Sequence, residues 1–103
     1  MQVRSLDNEI EFRSIIAVLK YYLYILKSEI QEKYYTGISN NVERRLEFHN
    51  TLEKGFTSRY RPWKIVYKKE FGSKEEARRY ERKIKSWKSK AMIEKLIKGE
   101  IEL

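Results

Sequence analysis

The chain of 103 residues contains no cysteine, a single aspartate and a single histidine. It therefore has no disulfide and no thiolate ligand for a metal, and the lone His49 excludes a zinc site built from two or more histidines. Two-metal phosphoryl-transfer sites usually gather several carboxylates around paired ions, so the lone Asp7 argues against such a site. The composition instead favours a single ion held by one glutamate.

A long hydrophobic run is also missing. The longest apolar stretch near the N-terminus is Ile15–Leu19, much shorter than the roughly 20 residues that a membrane-spanning helix needs. We therefore expect a soluble, cytoplasmic protein with no membrane partner. A length of 103 residues corresponds to one small domain.

Positive charge is what the chain has in excess. It carries 23 lysines and arginines against 15 acidic residues, a net charge of +8, and its pI is about 9.7. Although a run of charge is often only a solvated face, an excess of this size predicts a polyanionic partner. Nucleic acid is the first candidate and an anionic membrane surface is the second.

Hydrophobic periodicity predicts three strands and three helices in the order ββαβαα. This order indicates an α+β fold, with helices packed on a small antiparallel or mixed sheet. The predicted strands are Tyr21–Lys27, Tyr34–Ile38 and Trp63–Phe71, and the predicted helices are Val42–Thr51, about Lys74–Trp87 and a short last helix that Gly99 ends.

The predicted domain covers residues 21–98. An N-terminal extension, residues 1–20, precedes it and is either disordered or a short helix, because its apolar residues lack a clean period. A tail, residues 99–103, follows the domain.

Polar side chains interrupt the apolar face of the first predicted helix. Arg45 and His49 share this face with Val42 and Leu46, at the spacing i, i+3, i+4 and i+7, so both should point toward the sheet. Taken alone, Arg45 would more often turn outward or pair with a structural glutamate, and a single histidine is more often structural. Arg45 in a cleft could instead clamp a phosphate with both arms of its guanidinium.

Two tyrosines of the predicted hairpin, Tyr24 and Tyr35, could meet this helix face. If residue 24 pairs with residue 37 and residue 26 with residue 35, the two rings share one face of the sheet as diagonal neighbours. A tyrosine in a strand most often packs its ring into the core and keeps its hydroxyl group at the rim. A phenol with a pKa of about 10 is a poor base unless cations lower that pKa, which Arg45 and a metal ion could do. Gly37 marks a close backbone approach or a bulge.

Glu81 lies at the edge of the inner face of the strongly basic helix that follows the third strand. One interpretation is an ion pair with a neighbouring cation on the same helix. The other is a carboxylate that faces the cleft and holds one Mg²⁺ or Mn²⁺ ion together with water.

In their order and spacing, these residues resemble the GIY-YIG nuclease superfamily, and most closely its small standalone bacterial members. YLY (Tyr22–Tyr24) stands in the place of GIY and YTG (Tyr35–Gly37) in the place of YIG. Two longer segments are also similar to the family. The loop and third strand of the family resemble FTSRYRPWKIVYKKEF, and its metal-site helix resembles EEARRYERKIKSWKSK. The resemblance covers about Tyr21 to Ile97 and places the family arginine, histidine and glutamate at Arg45, His49 and Glu81.

This chain departs from the family pattern at three points. Tyr22 replaces the first glycine, and Thr36 is the middle residue of the second motif. The asparagine that follows the glutamate in homing-type members has no counterpart here, since no asparagine occurs after Asn50. This last departure bears on catalytic efficiency more than on the fold.

The resemblance implies a three-stranded antiparallel sheet flanked by helices, and hydrolysis of phosphodiester bonds in DNA with a single Mg²⁺ or Mn²⁺ ion. It implies that Tyr24, or water held by it, acts as general base, that Arg45 stabilises the transition state and that Glu81 holds the ion. Tyr35 and His49 would position the phosphate or relay protons. The expected contacts to nucleic acid are Gly37, Arg44, Arg59, Arg61 and Lys85.

The leading hypothesis is therefore a DNA endonuclease, structure-selective or non-specific, that acts in DNA repair or recombination, with RNA open as an alternative substrate. A non-catalytic nucleic-acid-binding module on the same scaffold is the alternative. A basic protein of the membrane surface is a third option, but it leaves the clustered tyrosines unexplained.

Overall fold

A computed structural model describes residues 20–103 of the chain. The predicted N-terminal extension, apart from Lys20, lies outside these described residues. None of the helices within residues 20–103 has the length and apolar character needed to cross a bilayer.

The structure has the predicted order of elements, and the first two strands each end one residue later than predicted. It adds a short 3-10 helix in the loop before the third strand, which periodicity did not predict. The elements are β1 (Tyr21–Ser28), β2 (Tyr34–Ser39), α1 (Val42–Thr51), the 3-10 helix (Phe56–Arg59), β3 (Trp63–Phe71), α2 (Lys74–Trp87) and α3 (Lys90–Ile97).

The sheet is antiparallel and has the order β2-β1-β3, so β1 lies in the middle. The hairpin has the register on which the meeting of the two tyrosines depends: Tyr24 pairs with Gly37, and Leu26 pairs with Tyr35. Since side chains alternate between the faces of a strand, Tyr24 and Tyr35 lie on the same face of the sheet. The predicted α+β fold with a three-stranded antiparallel sheet is confirmed.

The alternation in β1 gives the domain two hydrophobic clusters, one on each face of the sheet. On the face covered by α2 and α3, Leu23 and Ile25 pack with a larger cluster, and Ile101 and Leu103 of the predicted tail also pack there. On the opposite face, which we call the α1 face, Tyr24 packs with Leu26, Val42 and Trp63. The larger cluster consists of Leu23, Ile25, Phe71, Ala77, Ile84 and Leu96.

Side-chain caps start α1, α2 and α3 where the sequence changes from strand or turn to helix. Asn41 accepts a hydrogen bond from the Arg44 backbone N–H at 3.0 Å and begins α1. Ser73 and Ser89 cap α2 and α3 in the same way. Such a cap contributes about 1 kcal/mol to helix stability, and the cap on α1 holds the helix that carries Arg45 and His49.

Candidate active site

Tyr24 and His49 meet in the buried interior of the α1 face. The Tyr24 Oη lies 3.1 Å from the His49 Nε2, and the two side chains are 1% and 0% exposed. The Tyr35 ring packs against His49 with a centroid distance of 4.5 Å, and the centroids of Tyr24 and Tyr35 are 6.3 Å apart. The register of the hairpin and the inward face of α1 therefore bring together three of the predicted site residues.

Gly37 provides the space for the Tyr24 phenol. A Cβ atom at residue 37 would lie 2.6 Å from the Tyr24 Oη and 2.8 Å from its Cζ. The close approach predicted at this glycine is thus made by a side chain of the neighbouring strand. Gly37 is buried beneath the phenol and leaves room for it, and its contact with nucleic acid stays a prediction.

We expect Gly37→Ala to destabilise the domain and to displace the phenol. The ring has no free space to move into, because it is buried and hydrogen-bonded to His49, and overpacking of this kind costs about 1–3 kcal/mol. Denaturant unfolding of the variant measures this cost. Gly72→Ala is the matched control, since a Cβ there meets no atom within 4 Å; equal stability of the two variants would contradict the prediction.

Arg45 is half-buried and lies between the phenol and an aromatic ring. Its Cζ is 4.6 Å from the centroid of the Phe48 ring, a cation–π contact. Arg45 also lines an open depression of about 410 Å³ beside α1, together with residues such as Phe48 and Leu52. Arg45 can therefore reach a bound phosphate from the edge of the site, and Phe48 is a neighbour that helix periodicity did not single out.

The pKa of Tyr24 corrects one expectation. We expected Arg45 to lower it, and Arg45 does so, but burial of the phenol is the larger effect and raises the pKa to about 12. Tyr35 and Glu81 raise it further. In the protein alone, Tyr24 thus keeps its proton at neutral pH.

His49 is neutral at physiological pH. Burial lowers its pKa to about 4, and the positive charges of Arg45 and Arg61 contribute in the same direction. Its second ring nitrogen, Nδ1, lies 3.1 Å from the Thr57 Oγ1. Thr57 was not predicted as a site residue, because it comes from the 3-10 helix and shares no periodic pattern with the other members.

Glu81 forms the ion pair that was one of its two predicted interpretations. Its Oε2 lies 3.0 Å from the Lys85 Nζ, one helical turn further along α2, and its side chain is 16% exposed. Its negative charge also contributes to the raised pKa of the Tyr24 phenol. Its role as a metal ligand stays a prediction.

The carboxylate set fits only one type of metal binding. Within residues 20–103, no three His, Cys, Asp or Glu side chains come together to hold an ion. Glu81 alone fits an ion such as Mg²⁺, which keeps several waters and takes further oxygen ligands from a substrate phosphate. The Lys85 ammonium, which pairs with Glu81, shows that a positive charge is stable beside this carboxylate.

A groove leads away from the site between β2 and the helices α2 and α3. It has a volume of about 250 Å³, and Tyr35, Lys85 and Lys88 are among its lining residues. Tyr35 therefore contacts His49 on one side and borders a basic groove on the other.

The cations predicted to contact nucleic acid differ in their surroundings. Arg44, Arg59 and Lys85 are exposed. Arg61 instead donates from its Nε to the His49 backbone oxygen at 2.6 Å and from its Nη2 to the Glu53 backbone oxygen. Arg61 thus holds the end of α1, and its contact with a phosphate stays a prediction.

Comparison with known proteins gives the class to which this fold and site belong. The family model of the GIY-YIG catalytic domain matches residues 20–96, and the chain belongs to the GIY-YIG family. This family is of the nuclease type, and nucleic acid is the class of partner that it implies.

Among individual proteins, the chain is similar to several named UPF0213. UPF0213 protein SH2523 of Staphylococcus haemolyticus is 41% identical over 69 residues, which are 66% of this chain and 83% of the relative. UPF0213 protein SSP2268 of Staphylococcus saprophyticus is 31% identical over 81 residues, 78% of this chain and 98% of the relative. The solution NMR structure of UPF0213 protein BH0048 from Bacillus halodurans is 34% identical, with a TM-score of 0.49, and the match covers 77% of this chain and 83% of that one. The predicted resemblance to small bacterial members of the family is confirmed.

Proposed function

We propose that this protein is a metal-dependent DNA endonuclease, structure-selective or non-specific, that acts in DNA repair or recombination. The observation that carries the proposal is the buried contact of Tyr24 with His49, with Tyr35 and Arg45 beside it. Burying polar groups in a domain this small is costly unless they are hydrogen-bonded. A site is a better account of this cluster than packing alone, since aliphatic residues would fill the same space without needing any hydrogen-bond partners.

The residues of the cluster suit phosphodiester hydrolysis in different ways. Arg45 presents a planar guanidinium that can hold two oxygens of a phosphate as charge develops on them. Tyr24 would hold the attacking water through its phenol oxygen and take its proton once the phenol is ionised. Tyr35 and His49 fix the position of Tyr24 by packing and by a hydrogen bond.

We further propose that Glu81 holds a single Mg²⁺ or Mn²⁺ ion. When bound, such an ion supplies positive charge to the phosphate and to the leaving oxygen. To bind the ion, Glu81 would have to separate from Lys85. The Lys85 side chain can turn away into solvent, because it lies on the exposed surface of α2.

Two observations favour a second candidate, a non-catalytic nucleic-acid-binding module. Lys85 already neutralises Glu81, and the pKa of Tyr24 is raised to about 12 rather than lowered. A module of this kind would use the same basic groove to bind nucleic acid and would leave it intact.

The test between the two candidates is a panel of labelled substrates: linear duplex, single-stranded, flap and four-way DNA, and the RNA equivalents. Each is incubated with the protein in Mg²⁺ or Mn²⁺, and again after addition of a chelator. Cleavage that stops with the chelator supports the endonuclease, and faster cleavage of flap or four-way DNA supports a role in repair or recombination. If the protein binds these substrates but cleaves none of them in either metal, the endonuclease proposal fails and the non-catalytic binding module takes its place.

Affinity for duplex DNA should fall steeply with salt and vary little with sequence, because contacts to phosphates carry no sequence information. If the three exposed predicted cations, Arg44, Arg59 and Lys85, each contact one phosphate, the affinity should drop roughly 40-fold between 50 and 200 mM salt. Fluorescence anisotropy in the presence of chelator measures this binding without cleavage. A flat response to salt, or a strong preference for one sequence, would contradict it.

A further inference from the structure

The groove that Tyr35 borders, between β2 and the helices α2 and α3, combines an apolar lining with two lysines. Two aromatic rings and two aliphatic side chains provide the apolar lining: Tyr34, Tyr35, Ile84 and Ile93. Lys85 and Lys88 also line the groove, and both are exposed. Lys85 pairs with Glu81, whereas Lys88 makes no ion pair within residues 20–103. Lys88 is therefore the cation of this groove that is ready to meet an anion.

The backbone of Lys88, which ends α2, has a conformation that disfavours any side chain. Its φ is 48° and its ψ is 39°, in the left-handed region. Among residues 20–103, it is the only residue other than glycine with a positive φ. A Cβ atom in this conformation crowds the following carbonyl oxygen, so the position is usually occupied by glycine. A lysine here makes the fold less stable than a glycine would.

A single strand of nucleic acid matches both parts of the groove. Its phosphates can pair with a lysine, and its bases have flat faces that stack on aromatic side chains. In a double helix the bases stack on one another, so a duplex would leave the apolar lining of the groove uncovered. The Tyr35 ring also packs against His49, so a strand in the groove would run directly from the candidate active site.

We propose that this groove binds an unpaired strand of nucleic acid, and that Lys88 contacts a phosphate of that strand. The inference rests on the proposed function for its class of partner, and it adds the feature of the substrate that the protein holds. Backbone strain of this kind is found where function requires it, and the contact with the strand accounts for a lysine at residue 88. Flap and branched DNA, which offer an unpaired strand, are then better substrates than a continuous duplex.

Lys88→Gly tests the proposal, because stability and binding should change in opposite directions. Relief of the left-handed position should raise the melting temperature by roughly 4 °C in a domain of this size. Loss of the phosphate contact should lower affinity for a labelled single-stranded DNA about fivefold, the upper end for one exposed ion pair. The dependence of log affinity on log salt should become shallower by about 0.7. Thermal unfolding and fluorescence anisotropy in chelator measure these changes.

Three further variants serve as controls. Lys88→Arg keeps the charge and should bind and melt like the wild type. Lys88→Gln removes the charge and keeps a long side chain, so it should lose affinity with little change in melting temperature, and it decides the question if Lys88→Gly is not stabilised. Lys95→Ala removes an exposed lysine of α3 that does not line the groove, and it should change affinity by less than about twofold.

Three results would overturn the proposal. The first is wild-type affinity and salt dependence in both Lys88→Gly and Lys88→Gln. The second is an equal loss of affinity for a duplex of the same sequence, since the groove would then not select an unpaired strand. The third is an equal loss in Lys95→Ala, which would make the effect one of total charge.

Failure of this inference can be distinguished from failure of the proposed function, because binding is measured in chelator and without cleavage. If the wild type cleaves no substrate but Lys88→Gly loses affinity for the single strand, the endonuclease fails and the groove stands. If the wild type cleaves flap DNA, and Lys88→Gly binds and cleaves as well as the wild type, the role of the groove fails alone.

Discussion

Replacing Glu81 with alanine should abolish metal-dependent cleavage and leave the domain folded. Glu81 is the α2 carboxylate whose charge acts on the Tyr24 phenol, and it is the ligand that we propose for the divalent ion. Only an ion pair with Lys85 is lost from the fold, and such pairs one turn apart stabilise a helix by a few tenths of a kcal/mol. Cleavage assays across a range of Mg²⁺ and Mn²⁺ concentrations, together with the melting temperature, measure both effects.

Glu76→Ala is the matched control, because Glu76 also belongs to α2 and pairs with a cation, Arg79, on its own helix. We expect this control to cleave at the wild-type rate. If Glu81→Ala cleaves as well as Glu76→Ala does, Glu81 is only a partner of Lys85. If it unfolds while the control stays folded, Glu81 is structural and the proposed metal site is lost.

Arg45→Ala should reduce turnover by about 10²-fold or more, the scale for removing one donor that acts on charge in the transition state. Affinity for DNA should fall by no more than about tenfold, or about 1.4 kcal/mol, since other cations share the contacts to the bound substrate. Arg45→Lys should rescue poorly. A lysine supplies the charge without the planar fork, and it forms a different contact with the Phe48 ring on which the guanidinium now lies.

Arg79→Ala provides the control for charge, because it removes an exposed arginine of α2 outside the site. Single-turnover rates and binding measured in chelator separate the two effects of Arg45. Equal losses of affinity and turnover would make Arg45 a binding residue, and undiminished cleavage in both Arg45 variants would remove it from the site.

Local patterns were sufficient to predict most of the fold. The 3.6-residue period over Val42–Thr51 placed His49 on the inward face of α1, and the structure buries it there. The two aromatic runs predicted the hairpin, and its pairing of Tyr24 with Gly37 sets the two tyrosine rings on one face, as this register would require. These features depend on neighbours within a few residues or on one short turn, and sequence periodicity reports such neighbours well.

The features that escaped prediction depend on contacts between distant segments. Thr57 reaches His49 from a loop whose path is set by the bonds of Arg61 and Trp63, and no period in the sequence indicates this. The raised pKa of Tyr24 reflects how deeply the folded domain buries the phenol, which the residue types alone do not reveal. For Glu81, the sequence offered both an ion pair and a cleft-facing ligand, and the choice between side-chain orientations is made by packing.

The alternation in β1 also limits how this fold can change over evolution. Inserting or deleting a single residue within Tyr21–Ser28 would turn Leu23 and Ile25 toward α1 and the Tyr24 phenol into the aliphatic cluster, because side chains change face at every step. The connection between β1 and β2, residues 29–33, is exposed throughout and is free of this constraint. Differences in length among related chains should therefore accumulate in such connections, while β1 keeps its length even where its amino acids are replaced.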